Sequence, residues 1–468
     1  MPASSKSLRS AALAVLVLLG CAPSLRAEPA DWIWTARFVV TMNPQRRIIQ
    51  DGAVAVRGQR IAAVGRRQEI EKRFQAAHRL DHPSGILLPG FVDTHTHAAM
   101  SLFRGVADDL RLQDWLQNFI FPAEARNVDR EFVRWGTRLA CLEMALSGTT
   151  TYADMYYYED TVAEATRECG LRGVLGETII GFPAPDYKTP HAALAATEKY
   201  IQRFRNDPLI VPAVAPHAIY TTNDEILRDS RALANRYNVP LLIHLSETKR
   251  ENDECFAKRK MSPTHLLDSL GVLNGRTLAA HCVWLDESDR GVLKERGVGV
   301  AHCPSSNMKL ASGVADVVAL LKMGVAVGIG PDGVAGSNND ADMMQEMDLA
   351  AKLQKVMRMD PQALPASQAL AMATILGARA LGLDKEIGSL EAGKRADMVA
   401  LSLDEPHGVP VYNVVSAIVY SLKGSDVRDV MVNGRPIVRD RRMLTLNEAE
   451  ILARAAAYGR KIQASLAH

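Results

Sequence analysis

Long runs of like charge are missing from this chain. Its 55 basic and 53 acidic residues are interspersed, and a formal net charge of +2 gives no electrostatic footing for nucleic acid as a partner. Cysteine is scarce, six in 468 residues, and no pair is spaced as C-x-x-C, which excludes a disulfide framework. Cys141, Cys169, Cys255, Cys282 and Cys303 sit mostly within apolar runs and read as buried, inert thiols. Compositional bias is absent too: 47% apolar and 23% charged residues exclude both a disordered chain and a polytopic membrane protein. What is there is length enough for one large α/β barrel plus an accessory domain, with a small molecule as the natural partner.

The start of the chain departs from this ordinary composition. Lys6 and Arg9 precede the apolar run Ala11–Leu19, too short to span as a membrane helix but built like a signal-peptide core, so residues 1–27 read as an export signal. Two processing sites compete. Gly20-Cys21 after Leu18-Leu19 is similar to a bacterial lipoprotein site and would leave Cys21 lipidated, anchoring an exported or periplasmic protein to a membrane; simple cleavage near Ala27 would not. Ala22 follows the cysteine in place of an acidic residue. A start placed upstream of a cytosolic protein is the third alternative.

Residues 28–85 read as short strands with turn punctuation around Phe38–Met42, Gly52–Val56 and Arg60–Gly65. A β-rich stretch returns over 386–447, with Asp397–Leu401 and a hairpin about Asn433-Gly434, a pair suited to a tight two-residue turn. Together these predict a small accessory β-sandwich, followed by a helix over 448–468. Between them, over 86–385, eight apolar runs alternate with amphipathic stretches: Ile86–His97, Thr149–Met155, Gly173–Ile180, Ile210–His217, Leu241–Glu247, Leu278–Trp284, Gly299–Cys303 and Val325–Asp332. Asp129–Ser147 illustrates the helices, with Asp129 as cap, Phe132, Trp135, Leu139, Leu142 and Leu146 at helical spacing, and Gly148 as stop. Eight βα units predict a (β/α)8 TIM barrel.

Polar residues close several of these runs, where such barrels carry chemistry. In Asp93-Thr94-His95-Thr96-His97 the two histidines are one residue apart on an extended chain, so both imidazoles face one side and can meet one ion. Histidines at a strand end are satisfied as well by hydrogen bonds, and a lone H-x-H decides little. His244, His281 and Asp332 end three further apolar runs with metal-competent side chains, and convergence favours a metal.

Leu88-Pro89-Gly90-Phe91-Val92-Asp93-Thr94-His95-Thr96-His97, His244-Leu245-Ser246-Glu247 and Gly330-Pro331-Asp332-Gly333 resemble the signature blocks of the amidohydrolase superfamily. Ser101–Asp109, Pro216-His217-Ala218 and Ser337–Asp340 are similar to its branch of 5-methylthioadenosine/S-adenosylhomocysteine deaminases and triazine hydrolases. The resemblance implies that His95, His97, His244 and Asp332 ligate one Zn2+ per chain, with Fe2+ or another divalent ion as alternatives. It places Glu247 and His281 beside the ion's water as catalytic residues, and Trp115, Glu124 and His217 at the mouth of the barrel as substrate contacts. The implied reaction is hydrolytic deamination of an amino-substituted heterocycle by zinc-activated hydroxide with release of ammonia: Glu247 protonates a ring nitrogen, Asp332 moves the water proton to the departing amine, and His281 orients the nucleophile.

Several features qualify this. Neither Gly173–Ile180 nor Val211–His217 contains a lysine to bridge two ions, and Glu177 reads as a packed polar residue sooner than as a bridge. Trp115 has a rival role filling a loop core, and His302 and Asn307 have a structural hydrogen-bonding one. Gly176–His191 carries only Lys188 where family members often carry arginine for the substrate tail, and Gly336 lengthens the loop after Asp332. Hydrolysis of a chlorotriazine or cyclic amide uses nearly the same site, and a non-catalytic exported binding lipoprotein is the rival of another class, although no expected ligand is missing. A homo-oligomer is left open.

Overall fold

The computed structural model describes residues 27–466, so the export signal and Cys21 lie outside the described residues. Among the described residues sixteen strands form two sheets. The chain opens with β1 (Glu28–Val40), β2 (Ile48–Arg57), β3 (Arg60–Arg66) and β4 (Phe74–Pro89), and closes with β13 (Met398–Ser402), β14 (Val427–Val432), β15 (Arg435–Arg439) and β16 (Arg442–Met443). These join in the order β16-β15-β14-β13-β4-β1-β2-β3, so the two ends of the chain build the accessory β unit together, as one continuous eight-stranded sheet. Only β1 and β4 run parallel; the other neighbours are antiparallel. Asn433 and Gly434, with φ of 52° and 79°, turn the β14–β15 hairpin as their pairing predicts.

The remaining strands are β5 (Phe91–Thr96), β6 (Thr149–Tyr156), β7 (Arg172–Ile179), β8 (Ile210–Pro216), β9 (Leu241–Leu245), β10 (Thr277–His281), β11 (Gly299–His302) and β12 (Val327–Ile329). They pair in parallel and close into a barrel when β12 meets β5 through Ile329 and Asp93. Helices cover the outside, which is why the strands read as unbroken apolar runs with no alternation. In the helix Arg130–Leu146, Asp129 caps the start by accepting the Phe132 N–H at 2.8 Å. Among the described residues no helix is long and apolar enough to cross a membrane.

The first barrel run is shorter than expected. Ile86–Pro89 finishes β4 in the accessory sheet, and the barrel begins at Phe91. One apolar stretch serves both sheets, and periodicity cannot divide it. The break falls at Gly90, where a Cβ would lie 2.1 Å from Thr150 Cγ2, so the chain changes sheets at a point with room only for glycine. A buried ion pair fastens the two units elsewhere: Arg172 at the start of β7 reaches Asp397 beside β13, Nε to Oδ2 at 3.0 Å and Nη2 to Oδ1 at 3.3 Å.

Candidate active site

All the chemistry gathers at the carboxyl ends of the barrel strands. His95 lies in β5 with His97 just beyond it, His244 lies in β9, His281 ends β10, and Asp332 follows β12. Ring nitrogens of His95, His97 and His244 lie within 4.8 Å of one another, and so do donor atoms of His95, His281 and Asp332. Asp332 Oδ1 stands 3.3 Å from His95 Nε2 and 3.2 Å from His97 Nε2. Glu177 belongs to neither group; its Oε2 accepts the Glu159 N–H at 2.9 Å instead.

The donor set fits a divalent ion. Backbone carbonyls can only accept, so Met155 O at 2.6 Å from His97 Nδ1 and His217 O at 2.9 Å from His244 Nδ1 place the ring hydrogens on Nδ1. Both Nε2 lone pairs then face the cluster, the tautomer and orientation that metal-ligating histidines require. His95 Nε2 is buried without a hydrogen-bond partner, a cost that an ion would remove. Asp332 Oδ2 accepts from Ser306 Oγ at 2.7 Å, leaving Oδ1 toward the imidazoles. Burial alone would depress both His95 and His97. It holds His95 down at about 4, while the Asp332 carboxylate outweighs it at His97 and raises that ring to about 9, a proton on Nε2 that a divalent ion would displace.

Glu247 departs from its expected geometry. It does not continue an extended strand from His244: β9 ends at Leu245, and Ser246 turns the chain with φ of 50°. Glu251 holds that turn, its two carboxyl oxygens accepting the Ser246 N–H at 3.1 Å and the Glu247 N–H at 2.8 Å, bonds that partly offset the burial raising this group to about 8. Glu247 Oε2 thereby comes 3.9 Å from His281 Nε2. Burial, aided by the Asp332 charge, pushes Glu247 up to about 8, so it carries a proton at neutral pH. His281 Nδ1 faces Asn307 Oδ1 at 3.0 Å, which turns its Nε2 toward the site. Ser246, His281 and Asp332, at φ of 50°, 70° and 66°, are non-glycine residues in left-handed backbone, at a cost on the order of 1–3 kcal/mol each that folded structures tolerate mainly at functional sites.

Above this floor opens a cavity lined by the three expected contacts, Trp115, Glu124 and His217, among others. Trp115 also braces a loop, since its Nε1–H donates to Ala335 O at 3.2 Å. At the next residue, Gly336 with φ of 128°, a Cβ would lie 2.1 Å from Ala107 O and 2.6 Å from Trp115 Nε1; the loop can pass under the indole only as glycine. Glu124 accepts from Tyr156 OH at 2.8 Å and is raised by burial to about 7. His217 Nδ1 faces Thr221 Oγ1 at 2.9 Å. His302 makes no ring hydrogen bond at all despite complete burial, contrary to the structural bonding expected of it, whereas Asn307 does through His281.

Glu251 and Ser306 escaped the sequence reading. An acid in the first turn of the helix Lys249–Arg259 reads as ordinary dipole matching, and Ser306 reads as one polar residue among three. The nearness of Glu251 to Glu247 in sequence and of Ser306 to Asn307 were the available signals; their partners are visible only in the fold.

Three imidazoles and a carboxylate converging on the strand ends of a closed parallel barrel define a barrel metallohydrolase. The amidohydrolase family model matches residues 86–437, and the chain belongs to that family. It is 46% identical over 439 residues to the 5-methylthioadenosine/S-adenosylhomocysteine deaminase 1 of Syntrophus aciditrophicus, covering 94% of this chain and 99% of that one. Identity to the Syntrophobacter fumaroxidans deaminase of the same name is 47% over 434 residues, covering 93% and 99%. Among solved structures, a zinc-bound adenosine deaminase from Xanthomonas campestris superposes with a TM-score of 0.92 at 39% identity, over 94% of this chain and 100% of that one. The zinc-bound atrazine chlorohydrolase of Arthrobacter aurescens shares the fold, with a TM-score of 0.83 at 23% identity over 91% and 99%.

Proposed function

We propose that this chain is a zinc aminohydrolase acting on adenine nucleosides, in which water replaces the exocyclic amine of the ring and ammonia leaves. The observation that carries this reading is Glu247, a buried carboxyl group that the turn at Ser246 brings 3.9 Å from His281 Nε2, at the floor of the cavity beside the imidazole cluster. Relatives named as adenosine-derivative deaminases at 46% and 47% identity support the ring. Zinc in the adenosine deaminase neighbour supports the metal.

His95, His97, His244 and Asp332 would hold the ion, which supplies Lewis acidity and lowers the pKa of water to about 7 in the best-known zinc sites. The protein's own groups do the rest. Glu247 donates its proton to the ring nitrogen beside the carbon under attack, so that charge does not accumulate on the ring. Asp332, held by Ser306, takes one proton from the attacking water and passes it to the departing amine; the remaining hydroxyl proton returns to Glu247 as the ring carbonyl forms and ammonia leaves. His281, oriented by Asn307, accepts a hydrogen bond from the nucleophile and aims it. Trp115 and His217 line the ring, and Glu124 accepts from the ribose hydroxyls.

An ammonia-release screen over adenine nucleosides, guanine, pterins, cytosine and triazines, run with elemental analysis, tests this. Release from adenine nucleosides with about one divalent ion per chain is expected; full activity without metal, or with two tightly held ions both needed, would refute the mechanism. Export with lipid on Cys21 is a separate proposal resting on the basic-then-apolar leader. Mass spectrometry of the mature N-terminus decides it, an intact Met1 in cytosol counting against export.

A further inference from the structure

Asp332 is gripped twice. Ser306, in the helix Pro304–Lys309, donates its hydroxyl to Oδ2 at 2.7 Å and so holds the carboxylate. The backbone beside it is held by Asn338, which curls residues 331–340 back on themselves: the Asn338 N–H donates to Gly333 O at 3.0 Å, and Nδ2 donates to Pro331 O at 2.9 Å.

Both grips lead to one residue. Glu346, in the first turn of the helix Met343–Arg358, accepts the Ser305 N–H on Oε2 at 3.2 Å and a hydrogen of Asn338 Nδ2 on Oε1 at 3.1 Å. The Asn338 amide has two hydrogens, so it serves Pro331 and Glu346 together. One carboxyl group thereby ties the helix that carries Ser306 to the loop that carries Asp332. Glu346 is fully buried and is not among the residues lining the cavity, so its path to the reacting atoms runs through these neighbours.

Neither hydrogen-bond partner of Glu346 is a cation. A carboxyl group buried against uncharged donors is a costly way to pack a helix, since a hydrocarbon of similar size would fill the space without that desolvation. An acid in the first turn suits the helix dipole, but that benefit needs no burial. What the carboxyl adds is a pair of acceptors on one rigid plane, able to serve two donors from distant segments at once. We infer that Glu346 is a positioning residue of the metal site, fixing Ser306 relative to Asp332 so that Asp332 Oδ1 is presented to the imidazoles, a role that rests on the proposed ligation of the ion by Asp332.

The test challenges the zinc-loaded full chain with a chelator of known affinity, in the parent, Glu346→Gln, Ser306→Ala and the double variant, alongside denaturant unfolding of each. Glutamine can accept only one of the two N–H groups, because its amide nitrogen meets the other as a second donor. The Zn2+ affinity of Glu346→Gln is expected to fall about 10- to 100-fold, the usual effect of disturbing the groups that orient a metal ligand. A smaller fall is expected when Ser306 is already alanine, because both residues act on the same carboxylate. A Glu346→Gln protein that unfolds more easily but holds Zn2+ as tightly as the parent would show a purely structural role and overturn the inference. Equal losses of affinity in the two backgrounds would overturn it as well, since Glu346 would then act independently of Ser306. Should Glu346→Gln fail to fold, Asn338→Ala breaks the other arm of the clamp and carries the same expectation and the same refutation. A parent that holds no Zn2+ would bring down the proposed metal site and this inference together, whereas a zinc-binding parent with an unchanged variant removes the inference alone.

Discussion

Replacing Glu251 with alanine strands the two backbone N–H groups that its carboxylate accepts, those of Ser246 at 3.1 Å and Glu247 at 2.8 Å. The side chain is buried, so water does not replace it freely. Each orphaned buried donor costs about 1–3 kcal/mol, and the pair therefore about 2–6 kcal/mol of stability. The kinetic effect follows from the same geometry. Ser246 is held at φ of 50°, and without Glu251 the turn can relax toward extended backbone, moving Glu247 away from the ring nitrogen. A displacement of about 1 Å at a reacting group costs on the order of 100-fold in rate. Glu251→Gln keeps one accepting oxygen and should lose about half the stability, with kcat between wild type and Glu251→Ala. Denaturant unfolding gives the stability, and kcat, KM and metal content measured on the folded fraction give the rest. Loss of kcat with KM and metal retained is expected. A Glu251→Ala enzyme with wild-type kcat and unchanged unfolding midpoint would refute the positioning argument outright.

Glu247→Gln should keep its metal yet slow turnover by about 100- to 10,000-fold, the usual worth of a positioned general acid, whereas Asp332→Asn should lose both metal and turnover; a glutamine variant as fast as the parent would remove Glu247 from the mechanism. Asp397→Ala leaves the buried Arg172 guanidinium unpaired and should cost about 3–5 kcal/mol in unfolding experiments, with kcat unchanged at temperatures where the protein stays folded. A loss below about 1 kcal/mol would show that pair to be dispensable. Glu124, raised by burial to about 7, is protonated below that pH and ionised above it. Because the ionised form accepts more strongly from sugar hydroxyls, KM for a nucleoside should fall as pH rises from about 6 to about 8, and the trend should vanish in Glu124→Gln. A flat KM in the parent would dissociate Glu124 from binding.

The gathering of His95, His97, His244, His281 and Asp332 at one end of the barrel was legible in the sequence because strand geometry is so regular. Two histidines one apart on an extended chain must share a face, and apolar runs ending in His244, His281 and Asp332 must bring those ends together once eight parallel strands close. The asparagine–glycine hairpin and the Asp129 cap were legible for a similar reason, since each is a local preference that tertiary contacts did not override. What the fold alone decided lies where the backbone leaves regular geometry or where partners come from distant segments. Ile86–Pro89 and Phe91–Thr96 form one apolar run, and only the space at Gly90 assigns its halves to different sheets. Likewise Ser246 turns out of the extended conformation that would have carried Glu247 along β9, and it stays there because a carboxylate from the following helix bonds both amides. Sequence spacing encodes direction only while the backbone remains periodic; past a left-handed residue, direction is set by whatever packs around the turn.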